Sequence, residues 1–256
     1  MKKVGETARE GSRKKTAAGK KKINRKRASL FAIFGILAVA LVVIICVAAG
    51  MGETEVAANS ARLQGVKVVV DPGHGGEDSG TIGVSTGVKE AHINLEISKK
   101  LRNALVSYGA EVVMTRESGE AIAASKDADM QLRREIISTS GQDLTISIHQ
   151  NRFEDSSVKG PQVFYAPGSV EGEKLAKCIQ DALNADLDVA KPRTQMEGNY
   201  YIVKSGAAPA VIVECGFLSN PEEEQLLQKK QYQLMIVKAV IRGMEDYLGL
   251  VGQEGV

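Results

Sequence analysis

The chain has 256 residues, 43% of them hydrophobic, and its 33 basic and 31 acidic side chains leave a formal charge of only +2. That balance hides a division, because residues 1–28 carry 12 basic and two acidic groups while residues 52–256 carry 21 basic and 29 acidic. The hydrophobic content excludes global disorder, and the acidic body argues against nucleic acid as a partner, which would need a basic face on the folded domain.

Residues 1–28 read as a basic tail. Residues 30–49 (LFAIFGILAVALVVIICVAA) contain no charge; at about 1.5 Å per residue they match the roughly 30 Å of a bilayer core. The cluster KKKINRKR on the N-terminal side predicts a single-pass transmembrane anchor at 29–50, with the tail in the cytoplasm and the body outside. A cleaved signal peptide is the alternative and exports the same body. Residues 51–65 are small and polar and read as a linker, so one folded domain is expected over 66–249.

Within that domain apolar runs alternate with amphipathic stretches. VKVVV at 66–70 predicts a strand entering the turn Asp71-Pro72-Gly73. Residues 90–108 put Ile93, Ile97, Leu101, Leu105 and Tyr108 at helical spacing, with Gly109 as the stop. Strands follow at 110–114 and 144–148, with a helix at 127–138 between them. A strand at 162–165, a helix at 171–187 and a buried strand at 210–213 come next. Asn220-Pro221-Glu222-Glu223 starts a final helix expected to run to about Leu248. The alternation predicts a single three-layer α/β domain, its central sheet mostly parallel or mixed and flanked by helices.

Cysteine is scarce (Cys46, Cys178, Cys215) and no CxxC pair exists, which excludes a thiolate zinc site. The histidines are His74, His92 and His149. Three predicted strands lead into a polar residue: the first into DPGHGG with His74, the third into His149, and the last into Glu214. Ligands of α/β sheets bind beyond the carboxyl ends of strands, although one strand-end histidine is ordinarily just a hydrogen-bonded group. Glu90 falls on the apolar face of its helix, where a carboxylate needs a partner; a surface ion pair is the plainer alternative. His92 points about 200° away around the helix and reads as a surface residue. Two imidazoles and one carboxylate make the His₂Glu set of a catalytic zinc. The Gly-rich turn lacks the Lys-Ser/Thr of a P-loop and the spacing of a dinucleotide fingerprint.

VVVDPGHGGEDSG (68–80), Glu90, SIHQN (147–151) and PAVIVECGFLSNPEEE (209–224) resemble, in order and spacing, the zinc-dependent N-acetylmuramoyl-L-alanine amidases of bacterial cell walls. GNYYIVK (198–204) and ECGFLSNPEEE most resemble their spore-cortex, germination-specific branch. The resemblance implies a zinc ion on His74, Glu90 and His149, with Glu214 as the catalytic carboxylate. It also implies hydrolysis of the muramoyl–L-alanine amide of peptidoglycan. MTR (114–116) and the Arg134 region also look like family positions. Gln150 stands where the family more often has Ala, and is expected to stand clear of the ligand set. Cys215 has no histidine left to activate it and reads as a packing residue. Two other readings remain, another zinc peptidase and a non-catalytic, membrane-anchored wall-binding scaffold on the same fold. No wall-binding repeat is visible, so targeting falls to the anchor or to an activating or targeting protein partner. Residues 151–159 read as a plain surface loop that leaves the site open.

Overall fold

The computed structural model describes residues 61–250. In chain order the elements are β1 (Lys67–Pro72), α1 (Glu90–Ser107), β2 (Glu111–Met114), α2 (Lys126–Thr139), β3 (Leu144–Asn151), β4 (Gln162–Tyr165) and α3 (Val170–Asp186). Then come β5 (Met196–Glu197), a 3-10 turn at Ile202–Lys204, β6 (Ala210–Phe217), α4 (Pro221–Leu227) and α5 (Lys230–Leu248). The predicted membrane span at 30–49 lies outside the described residues, and among the described residues no helix is long and apolar enough to cross a membrane.

The six strands make one mixed sheet in the order β2-β1-β3-β6-β4-β5. β1, β2, β3 and β6 run parallel, and β4 pairs antiparallel with β6. Alternation along the strands divides the apolar side chains between two faces. Val68, Val70, Ile146, Ile148, Val211 and Val213 join the α1, α3 and α5 side chains in the larger core. Val69, Ile137 and Ile202 cluster on the opposite face with α2 and the 3-10 turn, and Ala210, Ile212 and Val203 form a second patch there. Three layers result.

Helix ends follow local chemistry. The Ser125 and Ser169 side chains accept from the third residue of the helices they start, and Asn220 accepts from Glu222 N and Glu223 N. The single helix expected from 221 to about 248 is two. Lys229 is extended, and the Gln233 side chain donates to the Leu227 carbonyl at 2.7 Å, satisfying a group that a continuous helix would have used. The linker reading also ran slightly long, because Leu63 is fully buried and its N–H bonds the Tyr108 carbonyl at 2.8 Å.

Two strands extend further than the apolar runs that announced them. β3 continues to Asn151 and β6 to Phe217, so His149 and Glu214 lie inside strands and face each other in parallel register. The ladder carries them inside the strands, where the apolar runs had pointed to the strand ends.

Candidate metal centre

Glu90 occupies the first turn of α1 and is 3% exposed. Its Oε1 lies 3.0 Å from His149 Nδ1 and 3.2 Å from His74 Nε2. It also accepts from Asn94 Nδ2 at 3.2 Å and from the Gln150 backbone N–H at 3.1 Å, while Oε2 accepts from Thr81 N at 2.8 Å. Burial pushes the carboxyl pKa up, but the two imidazoles outweigh it and hold Glu90 far below the usual carboxylate range. The alternative of a surface ion pair is gone. One donor atom from each of His74, Glu90 and His149 lies within 4.8 Å of the others, a set able to hold a metal ion. His92 is exposed and takes no part.

Gln150 does not stand clear. Besides the backbone bond to Glu90, its Nε2 donates to Asn94 Oδ1 at 3.1 Å, and Asn94 in turn holds Glu90. A small residue there would leave Asn94 without this partner.

Glycines at 73 and 80, within and just after the DPGHGG segment, make room. A Cβ on Gly73 would lie 2.2 Å from the His149 ring, and one on Gly80 would lie 2.6 Å from Glu90 Oε2 and 2.7 Å from His74 Cδ2. His74 itself sits at φ 61, a left-handed conformation unusual outside glycine. Two buried arginines hold the turn in that shape. Arg116 donates to the carbonyls of Pro72 and Gly73, each at 2.9 Å, and Arg133 donates to those of Pro72 and His74, each at 2.7 Å. Arg133 also pairs with Asp71, which accepts from Thr115 and Ser147 hydroxyls at 2.6 Å each. Asp78 lies 3.0 Å from His74 Nδ1 and 3.0 Å from Lys126 Nζ, and its carboxyl is lowered to about 2. Burial works to lower the His74 pKa, yet the Glu90 and Asp78 carboxylates raise it overall. The pairing of Arg133 with Asp71 was not read from the sequence, because the two lie in different elements.

Glu214 faces the same cavity, of about 200 Å³, together with His74, His149, Asp78, Tyr200 and Tyr201. Its Oε2 is buried without a hydrogen-bond partner. Burial raises its pKa to about 7, with the charge of Glu90 adding and the imidazoles opposing. A carboxyl that titrates near neutrality in a cavity is suited to taking up and releasing protons. Cys215 is buried in the apolar core and its thiol pKa is pushed up, which fits packing and not nucleophilic attack.

α4 contributes two neighbouring carboxylates that act as loop anchors. Glu223 accepts from Gly160 N at 2.9 Å and Phe217 N at 2.8 Å; Glu224 accepts from Ser85 N at 2.6 Å and Thr86 N at 2.7 Å. The loop after β3 forms no helix, and its residues Asp155, Ser157, Val158 and Lys159 line a separate cleft beside 187–193. The metal cavity is left uncovered by that loop, as expected.

Comparisons agree with this architecture. Residues 68–246 match the family model described as N-acetylmuramoyl-L-alanine amidase. A germination-specific N-acetylmuramoyl-L-alanine amidase of Bacillus subtilis is 35% identical over 196 residues, covering 73% of this chain and 82% of that one. The amidase AmiA of Escherichia coli is 30% identical over 224 residues, covering 70% and 75%. Among solved structures, the CwlD amidase from Clostridioides difficile in complex with the GerS lipoprotein superposes with a TM-score of 0.69 at 34% identity, covering 72% of this chain and 99% of that one. The chain belongs to the N-acetylmuramoyl-L-alanine amidase family.

Proposed function

We propose that the chain is a zinc-dependent hydrolase of the amide bond between the lactyl group of N-acetylmuramic acid and L-alanine in peptidoglycan. One observation carries this reading: Glu214, a carboxylate with one buried and unpartnered oxygen, shares a cavity with a two-imidazole, one-carboxylate donor set on the fold of this amidase family. The donor set suits zinc, since neutral imidazoles and one carboxylate are its usual ligands in catalytic sites.

A zinc ion held by His74, Glu90 and His149 would supply Lewis acidity to the scissile carbonyl and acidify a water molecule. Glu214 takes the proton from the attacking water and returns it to the leaving amine nitrogen, so that the product leaves as a neutral or protonated amine. Asp78 fixes the ring of His74 through Nδ1, and Asn94 with Gln150 fixes the Glu90 carboxylate. A scaffold that had lost catalysis would be expected to lack His74, Glu90, His149 or Glu214, and all four are present.

The basic tail and the apolar segment at 30–49 support a single-pass anchor with the hydrolase domain outside the cytoplasmic membrane, or a secreted body if the segment is cleaved. The germination-specific relative supports a role in spore cortex maturation, and the solved complex of a relative with a lipoprotein supports an extracytoplasmic protein partner. The test is incubation of the full chain, purified in detergent, with intact muropeptides, read by mass spectrometry. Released stem peptides beginning with L-alanine are expected; cleavage at any other bond, or none with zinc bound, overturns the reading.

A further inference from the structure

Tyr200 and Tyr201 stand on the wall of the metal cavity, each 41% exposed, in a chain with six tyrosines and no tryptophan. Exposed neighbouring aromatics in a catalytic cavity need an explanation, and their surroundings show that the segment is held in place. The Gly198 N–H donates to the Tyr165 carbonyl at 2.8 Å and continues the β4–β5 pairing. A Cβ on Gly198 would lie 2.3 Å from the Tyr200 ring, so the ring rests directly on the backbone. Phe164 meets the same ring edge-on, with centroids 5.3 Å apart. Behind the pair, Ile202 and Val203 are buried, and the Ser205 hydroxyl donates to the Tyr201 carbonyl at 2.8 Å. Two aromatic surfaces are therefore fixed before any ligand arrives, which lowers the entropy cost of binding to them.

We infer that Tyr200 and Tyr201 form a saccharide subsite on which the glycan half of the substrate stacks. This rests on the amidase reading, whose substrate has a sugar arm and a peptide arm meeting at the scissile amide. The surface of the two rings decides between the arms. Of the cations around them, Arg134 and Lys204 contact neutral groups and Lys126 meets a carboxylate. The Arg134 guanidinium lies 5.5 Å over the Tyr201 ring, Lys204 Nζ donates to Asn199 Oδ1 at 2.6 Å, and Lys126 Nζ pairs with Asp78. What the rings themselves offer is rigid aromatic surface, and a pyranose ring presents matching C–H faces to the negative face of an aromatic ring.

The test compares the full chain with Tyr200→Ala, Tyr201→Ala and the conservative Tyr200→Trp, using two probes: a peptide-free GlcNAc–MurNAc tetrasaccharide and a free stem peptide. Calorimetry should show tetrasaccharide affinity falling roughly tenfold in each alanine variant, the loss of one aromatic contact, and largely restored in Tyr200→Trp. Peptide affinity and zinc content should not change, and the kinetic defect should fall on KM with kcat nearly intact. Loss of peptide affinity with glycan affinity retained assigns the wall to the stem and overturns the inference, as does no measurable tetrasaccharide binding by the parent chain. If the parent chain binds the tetrasaccharide but releases no stem peptide, the amidase reading fails while the subsite stands.

Discussion

Arg133 Nη1 lies 2.8 Å from Asp71 Oδ1, and both side chains are 1% exposed. The same guanidinium reaches Asp129 through Nε at 2.6 Å and the carbonyls that shape the turn carrying His74. A pair with so many partners couples stability to ligand geometry. Arg133→Met should leave Asp71 charged and buried, costing roughly 3 kcal/mol or more. Urea unfolding measures this, and chelator competition should show metal affinity weakened by about tenfold or more. An unchanged midpoint with unchanged affinity would remove the clamp from the account.

Removal of any one donor should strip the metal. His74→Ala, Glu90→Ala and His149→Ala are expected to purify with little zinc, and His92→Ala with about one per chain. Elemental analysis of the four proteins decides it. Zinc lost from His92→Ala but kept in Glu90→Ala would contradict the geometry.

Glu214→Gln keeps the shape of the side chain and removes its ability to accept a proton. Zinc should stay bound while turnover of muropeptide falls by about 10²-fold or more. Full turnover in this variant would move proton transfer to another group, with Asp78, which also lines the cavity, the next candidate.

The same substitution predicts a pH effect on the metal-free protein. Burial raises Glu214 from 4.5 to about 7. Between those values the folded state binds more protons than the unfolded, so this group lowers stability as pH rises through that window, and the loss persists above it. Glu214→Gln has no charge to bury. Its urea midpoint should therefore gain on the parent's between about pH 5 and about pH 8; an equal gap at both values would exclude the effect.

With a net charge of +10 on residues 1–28 beside an uncharged apolar run, a reporter enzyme fused after Val256 should be active only outside the cytoplasm. The full-length chain should sediment with membranes if the segment is retained. A mature N-terminus between Ala48 and Ala61 would mark the segment as a cleaved signal.

Much of the site was legible because its chemistry rests on rare residues. Only three histidines exist, and two of them follow apolar runs, so His74 and His149 stood out, as did Glu90 on the apolar face of α1. The surroundings were illegible for a physical reason. Arg133 meets Asp71 across 62 positions of chain and Gln150 meets Asn94 across 56, and no local pattern encodes such meetings. Strand ends were misjudged for a related reason. His149 and Glu214 are polar, so hydrophobic patterning stops before them, while ladder pairing with each other carries both strands onward. The break between α4 and α5 lacks a Gly or Pro, since Gln233 supplies the missing partner from outside the turn.

The adjacent carboxylates of α4 have a consequence for how the molecule opens. Glu223 holds the amides of Gly160 and Phe217, and Glu224 those of Ser85 and Thr86. A seven-residue helix thus ties together segments far apart in the chain. These four amides cannot be released to solvent independently, because unseating α4 frees all of them and keeping it seated protects all of them. In hydrogen–deuterium exchange they should behave as one unit, slowing or quickening together as this short helix seats on or lifts from the end of the sheet.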